Sequence, residues 1–276
     1  MTKTGSIRVG PAGWSYKDWE GIVYPPHNSK FDHLAYLAEY FDTIEVNSSF
    51  YRTPPVTHSR SWVRRVSFNP EFVFTAKLAQ DFSHGKLFPS REDVTLFRTF
   101  LEPLQTAVKL GAVLAQFPWS FKESADSRTR LRKIFEAMNG IPLVVEMRHG
   151  SFQTEDFFLF LRDHGVGFVN IDQPIFGDSV RPSAVVTSEV AYVRFHGRNY
   201  EKWFEHDESW ERYDYLYSEK ELDDWVPRIE SMSSESTNVF VVTNNHFRGQ
   251  AIQNAGELKR KLGQESRMPG TFEAGY

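Results

Sequence analysis

Eight short runs rich in β-branched, aromatic and small apolar residues recur along the chain, separated by longer stretches, several of helical period. This alternation restricts the fold more than any other feature of the sequence. The runs are IRVG (Ile7–Gly10), TIEVN (Thr43–Asn47), FVFTAK (Phe72–Lys77), GAVLAQF (Gly111–Phe117), LVVEMR (Leu143–Arg148), GFVNID (Gly167–Asp172), AYVRFHG (Ala191–Gly197) and NVFVVTNN (Asn238–Asn245). Helical patterning follows in FDHLAYLAEYF, VTLFRTFLEPLQTAVKL, TEDFFLFLRDHG, SEKELDDWVPRIESM and GQAIQNAGELKRKLG. Only the link between the sixth and seventh runs, QPIFGDSVRPSAVVTSEV, lacks such a pattern and reads as irregular. Eight strands alternating with helices over about 250 residues predict an α/β fold, a single TIM-type (β/α)8 barrel. The rival is an open doubly wound sheet, but GPAGWSY after the first run lacks the G-x-G-x-x-G spacing of a dinucleotide site. With no internal repeat and no linker, residues 1–276 read as one barrel domain, and QESRMPGTFEAGY at its end reads as a loose tail.

Residues two apart on a strand share a face, so the polar residues late in each run can be assigned to the barrel's carboxyl-end mouth. PLVVEMRHGSF shows the pattern: Val144, Glu146 and Arg148 share one face, and His149 has the opposite parity. The same reading aligns Glu45 with Asn47, Thr75 with Lys77, Leu114 with Gln116, Asn170 with Asp172, and Tyr192 with Arg194, His196 and Arg198. Asn244, Asn245 and His246 join from the eighth strand. In a barrel this is the active face. The alternative is that these charges close the barrel as a paired ion network, Glu146 with Arg194 or Asp172 with Arg148.

Composition narrows the chemistry. The chain has no cysteine, which excludes disulfides, thiolate nucleophiles and cysteine-ligated metal. Its 32 Lys and Arg against 36 Asp and Glu give a formal charge of −4, so any polyanion site has to be local. No apolar run is long enough to span a membrane and the polar start MTKTGS is not a secretory signal, so a cytoplasmic protein is expected, with no membrane partner.

Taken together, GPAGWSYKDWEGIVYP, DTIEVNSSFYRTP, AQFP, VVEMRHGSF, YVRFHGRN, RYDYLYS and TNNHFRGQA resemble the YecE-like family, domain-of-unknown-function family seventy-two, over nearly the whole chain. The resemblance implies a TIM-barrel-like fold and brings no reaction with it. Its motif residues carry over as candidate site residues, adding Trp14, Tyr51 and Tyr213 to the strand-end set.

Glu45, Glu146, His196 and Asp172 are the candidate acid–base groups, with His196 as the preferred proton shuttle because R-F-H-G-R sets it between two guanidiniums. Trp14, Asn47, Tyr51, Lys77, Gln116, Arg148, Arg194, Arg198, Tyr213, Asn244, Asn245 and His246 are the candidate substrate contacts. Arginine forks and a lysine suit an anionic ligand, and three Arg with one Lys favour a phosphate-bearing one. The expected protein is an enzyme acting on such a ligand, with no cofactor required. A divalent-metal phosphodiesterase is the first alternative, since His149, His196 and His246 with Glu45, Glu146 and Asp172 are suitable ligand types, although no H-E-x-x-H or D-x-H pair is present. A non-catalytic binder of a small ligand or single-stranded nucleic acid is the second. The aromatic stretch NYEKWFEHDESWERYDYLY has too many carboxylates to welcome a phosphate backbone and reads instead as a lid over a small ligand.

Overall fold

In the computed structural model, which describes residues 4–26, 30–208 and 210–270, each of the eight runs forms a strand. They are β1 (Ser6–Pro11), β2 (Thr43–Val46), β3 (Val73–Lys77), β4 (Leu110–Gln116), β5 (Leu143–Glu146), β6 (Gly167–Asp172), β7 (Val190–Phe195) and β8 (Asn238–Thr243). All neighbours pair in parallel, in the order β1-β8-β7-β6-β5-β4-β3-β2. The remaining seam, β1 against β2, is closed by one bridge between Ala12 and Glu45, with the Gly13 N–H donating to the Glu45 carbonyl at 2.8 Å. A glycine is required at this seam. A Cβ on Gly10 would lie 1.9 Å from the Thr43 carbonyl oxygen, so any other residue there would push the two strands apart.

The helices are α1 (His33–Leu37), α2 (Ser48–Tyr51), α3 (Val56–Arg65), α4 (Gln80–Ser83), α5 (Arg91–Thr106), α6 (Ala125–Ala137), α7 (Glu155–Asp163), α8 (Glu219–Asp223), α9 (Val226–Glu235) and α10 (Gln250–Lys261). Their starts are chemically marked: Ser90, Ser124 and Ser218 each accept from the backbone N–H three residues on, and Thr154 does the same for α7. The pattern SEKELDDWVPRIESM, read as one helix, is two, because Pro227 near the start of α9 cannot continue the helix before it. Phenylalanines fill the layer between barrel and helices, for example Phe97 on Phe100 at 5.8 Å and Phe158 of α7 on Phe168 of β6 at 5.0 Å.

Residues 173–189 contain no helix, as the sequence indicates, and this has a consequence for β6. A backbone segment with few internal hydrogen bonds needs partners elsewhere. Asn170 supplies them: its Oδ1 accepts from Val185 N–H at 2.8 Å and from the Ser183 hydroxyl at 2.7 Å, while its Nδ2 donates to the Val185 carbonyl at 3.0 Å. Asn170 and Asp172 therefore face outward, and the parity read from the sequence for this strand is corrected. The tail is corrected too. Between Gln264 and Gly270 the chain is packed, with Met268 buried, Gln264 Nε2 donating to the Ile7 carbonyl at 2.8 Å and Gly270 N–H donating to the Tyr36 hydroxyl at 3.1 Å. Residues 271–276 lie outside the described residues. Among the described residues no helix is long and apolar enough to cross a membrane.

Candidate functional site

Lys77, Gln116 and Glu146 are the last residues of β3, β4 and β5, and Arg194 lies one residue before the end of β7. Glu45 comes one residue before the end of β2, so five strands deliver these side chains to one level inside the barrel. Arg194 is at the centre. Its Nη2 contacts Glu45 Oε1 at 2.6 Å, and its Nη1 contacts Glu146 Oε2 at 2.6 Å and Gln116 Oε1 at 3.3 Å. Below it, the Tyr192 hydroxyl donates to Glu45 Oε2 at 2.8 Å and lies 2.7 Å from the Thr75 hydroxyl. On the other side, Glu146 Oε1 is 2.7 Å from Arg148 Nη2 and 3.2 Å from His196 Nε2. Arg148 also donates to Gln173. The sequence alternative of a Glu146–Arg194 pair is realised, and that of an Asp172–Arg148 pair is not.

Burial and neighbouring charges set the protonation states. Burial by itself would raise Glu146, but Arg148 and Arg194 hold it well below the usual carboxylate range. Burial lowers His196, and Arg148 lowers it further, to about 3, so the ring is neutral at pH 7. Its Nδ1 is 3.1 Å from Asn244 Nδ2, and both ring nitrogens are thus held by protein groups. The expected proton shuttle is a fixed neutral imidazole. Lys77 behaves differently: burial lowers it, Arg194 adds to this, and the opposing pull of Glu45 and Glu146 leaves it at about 7.

Above this level opens a cleft of about 630 Å³, reached by Trp14, Tyr16, Asn47, Tyr51, Lys77, Gln116, Tyr213, Asn244 and His246. A second chamber of about 310 Å³, lined by Arg148, Gln173 and Trp203, shares Gln116, His84, Arg212 and Tyr213 with the first. Tyr16 and His246 stack at 4.5 Å, Tyr213 is 5.1 Å from His246, and Trp203 covers Arg148 at 5.9 Å. The segment after β7 thus lies over the mouth, where the sequence places a lid. Neither chamber is lined by an Asp or Glu among the described residues. Three buried polar atoms of the lining, Asn47 Oδ1, Arg212 Nε and His246 Nδ1, have no hydrogen-bond partner among the described residues.

Four expected members lie elsewhere. Asp172 points away from the barrel interior: its Oδ1 accepts from Arg198 Nε and the Tyr217 hydroxyl, both at 2.8 Å, and its Oδ2 from Arg198 Nη2 at 2.6 Å and Trp225 Nε1 at 2.7 Å. Arg198 follows it because Gly197, at φ 88°, breaks the alternation that carried β7 to His196. Asn245 also turns outward, donating to the Tyr215 carbonyl and to Asn254 Oδ1 at 2.8 Å each. His149 caps a short 3-10 turn, its Nδ1 accepting from Ser151 N–H at 3.1 Å. Gln173, His84 and Arg212 were not anticipated in the mouth. Gln173 shares parity with Val169 and Ile171 and was legible once β6 is read in the right phase, and Arg212 adjoins Tyr213 in the lid, whereas nothing in the sequence around His84 marks it. No set of three His, Asp or Glu side chains suited to a metal gathers among the described residues.

Relatives share this architecture. The chain is 30% identical over 272 residues to the UPF0759 protein YunF of Bacillus subtilis, covering 93% of this chain and 94% of that one. The crystal structure of a DUF72 family protein from Thermotoga maritima superposes with a TM-score of 0.82 at 36% identity, covering 94% of this chain and 99% of the other. A DUF72 family protein from Enterococcus faecalis gives 0.84 at 27% identity, covering 95% and 97%. Residues 8–274 match the family described as "Protein of unknown function DUF72", and the chain belongs to that family.

Proposed function

We propose that the protein is an enzyme that holds a small anionic ligand, bearing a phosphate or carboxylate, in the carboxyl-end cleft and acts on it by acid–base chemistry, with Lys77 as the group that exchanges a proton. The observation that carries this reading is the lining: Lys77, Arg148 and Arg212 face the two chambers, no Asp or Glu among the described residues does, and the chain as a whole is acidic at −4. Glu45 and Glu146 lie under the cleft already engaged by arginine, so they neutralise the floor without repelling an anion. All three arginines whose number favoured phosphate contact carboxylates, Arg194 with Glu45 and Glu146, Arg198 with Asp172 and Arg148 with Glu146, but Arg148 still lines the second chamber and Arg212, which has no carboxylate partner among the described residues, joins it there. Stacked Tyr16 and His246 provide a flat wall for the remainder of the ligand. A group at about 7 is half-protonated at neutral pH and can both take and give a proton, whereas His196 at about 3 cannot.

Thermal unfolding in the presence of inorganic phosphate, glycerol 3-phosphate and malate tests the reading. At a hundredfold excess over Kd a ligand of the native state adds about 2.7 kcal/mol, an easily read rise in Tm. At least one of these anions is expected to raise Tm for the wild type, and the rise is expected to disappear in Arg212→Ala and shrink in Lys77→Met. A flat response to all three, or a rise that both variants retain in full, sinks the proposal.

A further inference from the structure

We propose that Lys77 is a covalent site, whose amine condenses with the carbonyl carbon of an anionic aldehyde or ketone held in the cleft to form an imine. The inference deepens the reading of the cleft as an anion site and rests on it. Among the described residues three lysines are buried, and they differ in their partners. Lys109 Nζ donates to the carbonyls of Asn69 and Pro70, both at 2.8 Å, and Lys259 Nζ donates to the Tyr40 carbonyl at 2.8 Å with Asp42 at 4.0 Å. Lys77 Nζ has one hydrogen bond, to the uncharged Gln116 Oε1 at 3.0 Å, and otherwise rests over the Phe50 ring at 4.1 Å.

The carboxylates that would ordinarily pair with it are occupied. Glu45 is held by Arg194 and the Tyr192 hydroxyl, and Glu146 by Arg194, Arg148 and His196. Among the described residues no salt bridge reaches Nζ. Of the three, only Lys77 lines the cleft. The charged groups acting on it are Arg194 from β7, Glu45 from β2, and Glu146 and Arg148 from the end of β5, and with burial they leave the amine at about 7. Near neutral pH about half of it is therefore the free base, the nucleophilic form.

The step balances without oxidant or metal. The Nζ lone pair forms a bond to the carbonyl carbon, the C=O π pair moves to oxygen, and the two protons that nitrogen loses in turn go to that oxygen, the first giving a carbinolamine. That hydroxyl then leaves as water, taking a second proton, and the C=N bond forms, so amine plus carbonyl gives imine plus water. Gln116 Oε1, by accepting an N–H, fixes where the lone pair points, and Arg148 and Arg212 hold the anionic end of the ligand.

Reductive trapping tests this on the full chain. Glyoxylate and glyceraldehyde 3-phosphate are each incubated with the protein and sodium cyanoborohydride at pH 7, and the adducts are located by peptide mapping. Lys77 is expected to be labelled at least about tenfold faster than the exposed lysines, because they are almost wholly protonated at this pH. The adduct should be suppressed by glycerol 3-phosphate, which has no carbonyl, and be absent from Lys77→Met. Lys109 and Lys259, buried outside the cleft, should stay unlabelled. Labelling of Lys77 no faster than of exposed lysines overturns the proposal, and so does equal labelling of Lys109 and Lys259, which would assign the adduct to unfolding. If glycerol 3-phosphate raises Tm and no Lys77 adduct forms, the imine falls and the anion site stands. If no anion raises Tm and no adduct forms, both fall.

Discussion

Two buried arginine–carboxylate clusters lie on opposite sides of the barrel wall, and they do different things. On the outside, Asp172 receives four donors, two on each oxygen, from Arg198, Tyr217 and Trp225. Every lone pair that geometry allows is used, and the result clasps the lid and the α8–α9 corner to β6. On the inside, Arg194 bridges Glu45 and Glu146, but Arg194 Nε and Glu146 Oε1 lack an aligned hydrogen bond, and Lys77 at the edge has no carboxylate of its own. The inner cluster is also the one with a cavity above it. A cluster saturated by its own members has nothing left for a ligand, whereas one left incomplete beneath an opening does.

The largest expected effect is on the inner cluster. Arg194→Met leaves Glu45 and Glu146 buried without their shared cation, and urea unfolding should show a loss of about 3–5 kcal/mol. A loss below about 1 kcal/mol would mean that water reaches these carboxylates, erasing the contrast between the clusters.

Lys77→Met sharpens the comparison through pH. Because the folded-state value, about 7, lies below the ordinary 10.5, the unfolded chain binds the extra proton between these values, and wild-type stability rises with pH across that window. Below about 7 the full cost of burying the charge is present in the wild type and absent from the variant. The variant is expected to be more stable by on the order of 2–4 kcal/mol at pH 6, with the difference shrinking as pH climbs toward 10.5. A pH-independent difference would show that Lys77 is not the titrating group.

Asp172→Asn, on the outer cluster, should cost about 1.5–3 kcal/mol, the smallest of the three. It should also release the lid: tryptic cleavage at Lys202 and Arg212 is expected to speed up several-fold. Unchanged cleavage would show that the clasp does not hold the lid.

Much of this is legible in the sequence. Strand alternation located every strand of the barrel, and strand parity brought Glu45, Lys77, Gln116, Glu146, Arg148, Arg194 and His196 to one level correctly. It failed where the chain stops alternating or where the buried face is not the inner one. Gly197 turns Arg198 outward, and adjacent Asn244 and Asn245 cannot both point inward. On β6, the face bearing Asn170 and Asp172 serves the irregular 173–189 link and the lid, so its polar residues answer the needs of backbone groups distant in sequence.

By itself the sequence determined the element order, the end of the barrel at which charge collects and the family, because these depend on periodicity and motifs within short stretches. Only the tertiary structure decided which charges satisfy one another. Arg194 and Glu45 are 149 residues apart in sequence and 2.6 Å apart in space. Attraction at such range in a dry interior falls steeply with distance, so a shift of a few ångströms decides whether a carboxylate pairs with Arg194 or with Lys77. That Lys77 is the one left over is therefore a property of the assembled barrel, and it turns a strand-end lysine into the group on which the proposed chemistry depends.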